Sequence, residues 1–405
     1  MGDRIGVAVL GATGSIGASA LQVLRLQGDR FKVVSLTAWN QIGALSRLVN
    51  EFSPALVAAA PESAEDAGLD SPPEFQADYY VGGDEGLVAA ATHPDVHTVI
   101  AGVSGAAGLQ STLAAVRAGK RVLLANKEPL VMCGHLLRDA AAESGACLLP
   151  IDSEHNAIFQ CLPLEVQRDV AAGRGIRAGP GRSGVSRIAL TASGGPFLRT
   201  TASGLAKATP NEALAHPTWN MGPKISVDSA TLMNKGLELI EACTLFGLDE
   251  SQVEVVIHPQ SVLHSVVYFS DGSLIGQMGS PDMRVPITHG LAYPDRMPSG
   301  VAGIDLTEIG QLQFELPDLE RFPSLKLARQ AAKEGRSAPI VLNAANEVAV
   351  QAFLEGRIGF GFIPEIVDRS LERHDPREIT ELVQVIGIDR ETRIVADDII
   401  RGILH

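Results

Sequence analysis

The sequence predicts an α/β protein in three parts: a doubly wound, mostly parallel sheet at the N-terminus, an α+β middle with an antiparallel hairpin sheet, and a helical C-terminal domain. Three observations carry this. Apolar runs of strand length alternate with helix-length segments through the first 150 residues, the rhythm of a parallel sheet wrapped in helices. Hydrophobic residues make up 45% of the chain and aromatics only 4%, which suits a Val/Ile/Leu/Ala sheet core. Near the C-terminus, helical patterns at 324–334, 338–355, 362–372 and 390–403 follow one another without a strand between them.

Taken in order, Ile5–Leu10 reads as a strand, Gly11-Ala12-Thr13-Gly14-Ser15-Ile16-Gly17 as a tight turn, and Ala18–Leu26 as a helix. Strand, glycine turn and helix together aim free N–H groups at a pyrophosphate, so this part predicts a Rossmann-like nucleotide platform. The second strand, Phe31–Ala38, ends at Trp39-Asn40-Gln41. An acid there would hold a ribose hydroxyl pair and favour NAD; its absence leans towards NADP, although no Lys or Arg stands ready for a 2′-phosphate. Strands follow at 56–60, 97–101 and 121–125, with helices at 106–118 and 130–143. Pro61–Tyr79, rich in acids and prolines, reads as a surface excursion.

The run Ala146–Ile151 is a buried strand that ends at Asp152-Ser153-Glu154. Asp152 and Glu154 are two apart, so in extended chain they leave on the same side and can hold a hard cation such as Mg²⁺ or Mn²⁺. The same residues also suit a helix start, with Asp152 or Ser153 as the cap. Further on, Ala172–Arg182 is a Gly/Arg/Pro-rich loop, and the strand Arg187–Thr191 leads into Ser193-Gly194-Gly195, a hydroxyl and bare amides suited to an anion. Pro217, Gly222 and Pro223 keep the stretch around His216 and Trp219 out of regular structure, which fits a lid or an aromatic pin. A helix from 230 to 246 places Asn234 and Glu238 on one face, with Lys235 adjoining and Ser229 at its mouth. Strands at 253–257, 262–269 and 273–278 follow, the last two joined at Asp271-Gly272 as a hairpin. His258 and His264 are six apart, a poor register for zinc. Asn343, Asn346 and Glu347 read as polar bridges between packed helices.

The formal charge of -14 argues against a nucleic-acid or anionic-membrane partner. Cys133, Cys147, Cys161 and Cys243 form no Cys-x-x-Cys pair and read as reduced, buried thiols of a cytoplasmic protein. No apolar run is long enough for a bilayer, and a strand begins too early for a leader peptide.

Several runs together, above all Asp152–Gln160, Lys224–Glu238 and Gly11–Gly17, resemble the 1-deoxy-D-xylulose 5-phosphate reductoisomerase family over nearly the whole chain. The resemblance implies NADPH- and metal-dependent rearrangement and reduction of 1-deoxy-D-xylulose 5-phosphate to 2-C-methyl-D-erythritol 4-phosphate, in non-mevalonate isoprenoid synthesis. It implies Asp152, Glu154 and Glu238 as ligands of Mg²⁺ or Mn²⁺ (or Co²⁺), and Lys127 and Ser153 on the substrate's oxygens. Ser193, Ser229, Asn234 and Lys235 would hold the phosphate, with His216 and Trp219 on the lid. Thr13, Gly14, Ser15, Ile16, Asn126, Glu128 and Gly222 would meet NADPH. The implied domains are an NADPH-binding domain at 1–152, a catalytic domain at 153–300 with a lid near 213–223, a linker at 301–320 and a helical domain at 321–405. The expected partners are a small phosphorylated ketose and a second copy of the chain. Trp39-Asn40-Gln41 and the Gly/Arg-rich loop depart from the family pattern. Two competing readings are a metal-free NADP-dependent semialdehyde dehydrogenase, which needs a nucleophilic cysteine in a polar turn, and a non-catalytic NADP sensor, which has no need of three acids.

Overall fold

A computed structural model describes residues 4–39, 41–59, 78–81, 83–176, 183–219 and 221–404. Seven strands form the first sheet: β1 (Ile5–Leu10), β2 (Phe31–Ala38), β3 (Leu56–Ala59), β4 (Asp78–Val81), β5 (Thr98–Ala101), β6 (Arg121–Leu124) and β7 (Cys147–Pro150). Their order is β4-β3-β2-β1-β5-β6-β7, and every pairing is parallel. Parallel strands need helical crossovers that cover both faces, which is why the strands carry almost unbroken apolar runs such as Val7-Ala8-Val9-Leu10, all buried.

The strand order reverses at β1, so a crevice opens between the turns after β1 and β5. Glycine builds it. Gly11 has φ +76, and a Cβ there would lie 2.6 Å from the Gly102 carbonyl oxygen. A Cβ on Gly17 would lie 2.4 Å from the Gly11 oxygen, so only glycine lets the helix Ser15–Leu26 sit down on the turn.

The second sheet contains β8 (Val185–Ala192), β9 (Val253–Ile257), β10 (Leu263–Phe269) and β11 (Leu274–Met278), in the order β11-β10-β8-β9. The β10–β11 hairpin is antiparallel, as Asp271-Gly272 predicts, with Gly272 at φ +87. β8 and β9 pair in parallel, however, so the sheet is mixed rather than antiparallel. The chain between them is a long helical crossover, and this permits a parallel return.

The helix Met233–Phe246 is buried along nearly its whole length and packs against β8 and β9 and against the helices Ser324–Glu334 and Glu128–Ser144. It does not start at Ala230. Leu232 sits at φ 61 and ψ 10, breaking the expected helix into Pro223–Thr231 and Met233–Phe246. The last helix, Leu382–Leu404, starts eight residues ahead of the expected Arg390. Asp78–Val81 is an edge strand where a surface excursion was expected, and residues 61–77 of that stretch lie outside the described residues, as do 177–182 of the Gly/Arg-rich loop. All four cysteines are free; Cys133 and Cys161 are buried, whereas Cys147 and Cys243 are only half-buried. No helix among the described residues is long and apolar enough to cross a membrane.

Gly17→Ala should force the first helix off its turn, because the atoms it meets are backbone and cannot rotate away. A stability loss of about 1–3 kcal/mol is expected for such overpacking, read as a lower urea midpoint, together with weakened nucleotide binding in a fluorescence titration.

Candidate active site

The carboxyl end of β7 delivers the first two acids. Asp152 is the cap residue of the helix Ser153–Cys161, yet its side chain makes no capping hydrogen bond. Its carboxylate turns away and accepts from the Lys127 ammonium, so the helix-start role does not consume it. Glu154 lies in the first turn of that helix, where the Ser153 hydroxyl donates to it. Glu238 arrives from the helix Met233–Phe246 with 1% of its surface exposed. One oxygen from each of Asp152, Glu154 and Glu238 lies within 4.8 Å of the others. Two chain segments distant in sequence, the end of β7 and the helix Met233–Phe246, therefore converge on an all-oxygen donor set, which suits a hard cation such as Mg²⁺ or Mn²⁺.

Two ammonium groups hold this cluster together. Lys127 bridges Asp152 and Glu238, standing 3.5 Å from Glu238 Oε1. Lys235 bridges Glu154, at 2.9 Å, and Glu238. Asn234 Nδ2 donates to Glu238 Oε1 at 2.6 Å, so the helix face read from the i, i+4 spacing exists as expected. Three carboxylates against two ammoniums leave a net negative charge in a poorly solvated place, and a small cation is attracted there. Burial opposes the charge on Asp152, but Lys127 and His155 outweigh it and hold its carboxyl far below the usual range. Burial and the neighbouring Glu154 push Glu238 the other way, up to about 6, against Lys235 and Lys127. Burial likewise opposes the charge on Lys127 and Lys235, and their carboxylate partners reverse it, so both stay cationic.

A second pole lies at the end of β8. A Cβ on Gly195, at φ +67, would lie 2.5 Å from the Ser229 carbonyl oxygen, so this glycine lets the loop reach the end of the helix Pro223–Thr231. Ser193 Oγ lies 3.0 Å from His216 Nε2. His216 Nδ1 accepts from the backbone N–H of Trp219 at 3.0 Å and of Thr218 at 3.3 Å. That fixes the tautomer: Nδ1 is bare, so Nε2 carries the hydrogen and donates to Ser193. Burial lowers the pKa of His216 and keeps the ring neutral. The Trp219 ring leans towards His264, with centroids 6.4 Å apart.

Both poles face one cavity of about 330 Å³. Its lining includes Lys127, Asp152, Ser153, Glu154, Ser193, His216, Trp219, Ser229, Asn234, Lys235 and Glu238, together with Ser15, Ile16 and Gly222. Thr13 and Gly14 line a second cavity of about 420 Å³ with Thr37, Trp39 and Gln41, at the crevice beside β1. Its described lining contains no charged side chain. Asn126 and Glu128 line neither cavity: Asn126 donates to the Val103 and Gly105 carbonyls, and Glu128 is buried beside Lys224 at 3.6 Å.

Sequence reasoning passed over several contributors. Thr191, Ser261 and His264 line the first cavity. His155 and Glu241 lie buried below it. The one available signal was a second acid on the helix, three residues past Glu238, among apolar neighbours. Asn346 donates to Asp228 of the helix Pro223–Thr231 at 2.7 Å and Glu347 accepts from Arg393 of the helix Leu382–Leu404, so these two bridge packed helices, whereas Asn343 donates to Glu347 within its own helix at 3.1 Å.

Fold and site together define a nucleotide-using enzyme whose pocket is prepared for a divalent cation and an anionic substrate. Family models described as 1-deoxy-D-xylulose 5-phosphate reductoisomerase and its C-terminal domains match residues 7–134, 148–246 and 278–395. The 1-deoxy-D-xylulose 5-phosphate reductoisomerase of Pseudomonas fluorescens is 52% identical over 96% of both chains, and that of Acinetobacter baumannii 49% over 98% of both. Among solved structures, the Zymomonas mobilis enzyme in complex with NADPH is 43% identical, with a TM-score of 0.88 over 99% of both chains. A DOX-P reductoisomerase in complex with NADPH, fosmidomycin and magnesium is 45% identical, with a TM-score of 0.87 over 98% of both. The chain belongs to the 1-deoxy-D-xylulose 5-phosphate reductoisomerase family.

Because Glu238 holds its proton up to about pH 6, a cation must displace that proton at lower pH. The affinity of the protein for Mn²⁺ should therefore fall as the pH drops below that value, by about tenfold per unit for one competing proton. Titration followed by electron paramagnetic resonance between pH 5 and 8 measures it; a flat profile would contradict the assignment.

Proposed function

We propose that the chain's own residues divide the work of the family reaction as follows. The protein is an NADPH- and divalent-metal-dependent reductoisomerase that rearranges and reduces 1-deoxy-D-xylulose 5-phosphate to 2-C-methyl-D-erythritol 4-phosphate. The observation that carries the assignment of roles is the convergence of Asp152, Glu154 and Glu238 within 4.8 Å, on one wall of a cavity that also presents Ser193, Ser229, Asn234 and Lys235. Asp152, Glu154 and Glu238 hold the cation, which when bound polarises the substrate's ketone and neighbouring hydroxyl, and NADPH supplies the hydride.

The remaining work belongs to side chains. Lys127 adds positive charge where an oxygen becomes negative, and Ser153 orients that end of the substrate. Ser193, Ser229, Asn234 and Lys235 grip the phosphate, and His216 Nε2–H strengthens Ser193 as part of that grip. The phosphate lies away from the reacting carbons, so its binding energy can close Trp219 and His216 over the cavity and exclude water. Ser15, Ile16 and Gly222, which line the first cavity, would hold the reacting end of NADPH, and Thr13 and Gly14, which line the second, would hold the rest, with Asn126 and Glu128 behind the wall. The units at 1–152, 153–300 and 321–405 supply the cofactor platform, the catalytic surface and a helical brace. Leu274 and Ile275 leave β11 with exposed apolar side chains, which supports a homodimer formed through the second sheet. The free cysteines support a reducing, cytoplasmic location.

NADPH oxidation should require the deoxyxylulose phosphate and a divalent ion together; turnover in excess chelator would refute the reading. Glu238→Gln should lower kcat by about two orders of magnitude or more while NADPH still binds, and full activity in that variant would remove it from the ligand set. Lys235→Ala should raise KM for the phosphate ester roughly tenfold or more, through loss of a charge-assisted hydrogen bond. KM for NADPH should hardly change, and equal shifts in both would count against the phosphate assignment.

A further inference from the structure

Beneath the three acids lies a pair that nothing in the reaction has yet used. The His155 ring is fully buried and stacks on Phe246, with centroids 6.2 Å apart and planes 8° apart. Its Nε2 lies 2.9 Å from the backbone oxygen of Glu238. Its Nδ1 lies 3.6 Å from Asp152 Oδ2 and 3.6 Å from Glu241 Oε2. Glu241 is 1% exposed, and neither of its carboxyl oxygens has a hydrogen-bond partner among the described residues; nor does His155 Nδ1.

A hydrogen-bond inventory decides how this cluster is wired. A backbone carbonyl only accepts, so Nε2 carries a hydrogen. Nδ1 faces two carboxyl groups at the same 3.6 Å, and bare acceptors facing a bare ring nitrogen would repel, so a hydrogen lies between them; Asp152 already accepts from Lys127, which leaves Glu241 as the group in need of it. Leaving buried polar atoms unpaired costs roughly 1–3 kcal/mol each, and a small rotation of Glu241 onto Nδ1 pairs two of the three, Nδ1 and one carboxyl oxygen. A cation is a poorer occupant, although Asp152, His155 and Glu241 also lie within 4.8 Å of one another. Neither His155 nor Glu241 is among the residues lining the cavity, and the hydrogen that Nδ1 must carry would have to leave for an ion to bind.

We propose that Glu241, acting through His155, is a positioning residue for the cation ligands. The imidazole touches both halves of the ligand set: the Asp152 side chain at the end of β7, and the main chain of Glu238 on the helix Met233–Phe246. Glu241 orients that ring and so fixes the distance between the two halves. Outer partners of this kind ordinarily change metal affinity or activity by about 10–100-fold when removed. The inference rests on the proposed ligand roles of Asp152, Glu154 and Glu238.

The test compares the parent, Glu238→Gln and Glu241→Gln by Mn²⁺ titration in the electron paramagnetic resonance spectrometer, by NADPH titration and by steady-state kinetics. Glu241→Gln should weaken Mn²⁺ binding and lower kcat, each by about 10–100-fold, with NADPH affinity unchanged. Mn²⁺ affinity and kcat within twofold of the parent would overturn the proposal. A parallel loss of NADPH affinity, marking general loosening, would overturn it too. A second equivalent of Mn²⁺ held by the parent and lost in Glu241→Gln would overturn it in favour of an inner cation site. A parent that binds no Mn²⁺ would instead sink the ligand assignment itself. Should the variant not fold, the parent alone suffices: the proposal requires an exchange-protected, downfield proton resonance coupled to the His155 ring at Nδ1, and its absence would overturn it.

Discussion

Charge balance in a buried place is the constraint on which this molecule depends. The helix Met233–Phe246 carries Lys235, Glu238 and Glu241 through the middle of the protein, each no more than 4% exposed. Burying an unpaired ion costs several kcal/mol, so this helix is tolerated only where other elements bring matching charges. The carboxyl ends of β6 and β7 do so, with Lys127 just after one and Asp152, Glu154 and His155 just after the other. The parallel sheet must dock on the helix in one register for these pairs to form. An apolar helix would hold the parts together as firmly, but it would not fix that register.

The two cavities follow from two different topologies meeting. The reversal of strand order at β1 makes a crevice lined mostly by glycine and other small residues, with Trp39, Gln41 and Leu87 among them. The mixed sheet presents the end of β8 opposite the end of β7, so hydroxyl and amide donors stand across from carboxylates. The helix Ser15–Leu26 starts beside both cavities, and Ser15 and Ile16 face one while Thr13 and Gly14 face the other.

Much of this was legible in the chain. The glycine turn, the first two strands and the acids after β7 follow from spacing and local pattern, and Glu238 from its shared face with Asn234. What was not legible has physical causes. Val383, Val385, Ile386 and Ile388 around Gly387 argue against a helix by propensity, yet burying Val385 and Ile388 in the helical domain overrides it. The parallel pairing of β8 with β9 depends on a crossover of about sixty residues, which no local signal reports. Glu241 reads as an ordinary helical acid, because only the tertiary fold brings His155 to it. The break at Leu232 carries neither glycine nor proline to announce it.

That break has a geometric effect. Leu232 accepts a left-handed backbone, a cost of the order of 1–3 kcal/mol for a residue with a side chain, while its side chain is 97% removed from water by the surrounding core. Glycine would relax the bend but leave that space empty. The kink also starts a new helix at Met233, whose own N–H donates to the Thr231 hydroxyl at 3.2 Å, so the positive end of a fresh dipole falls in the turn that carries Asn234 and Lys235. A single unbroken helix would have kept the amides of that turn bonded to the preceding one. The fold thus spends backbone comfort at one residue to point a peptide dipole along the helix that carries Lys235 and Glu238.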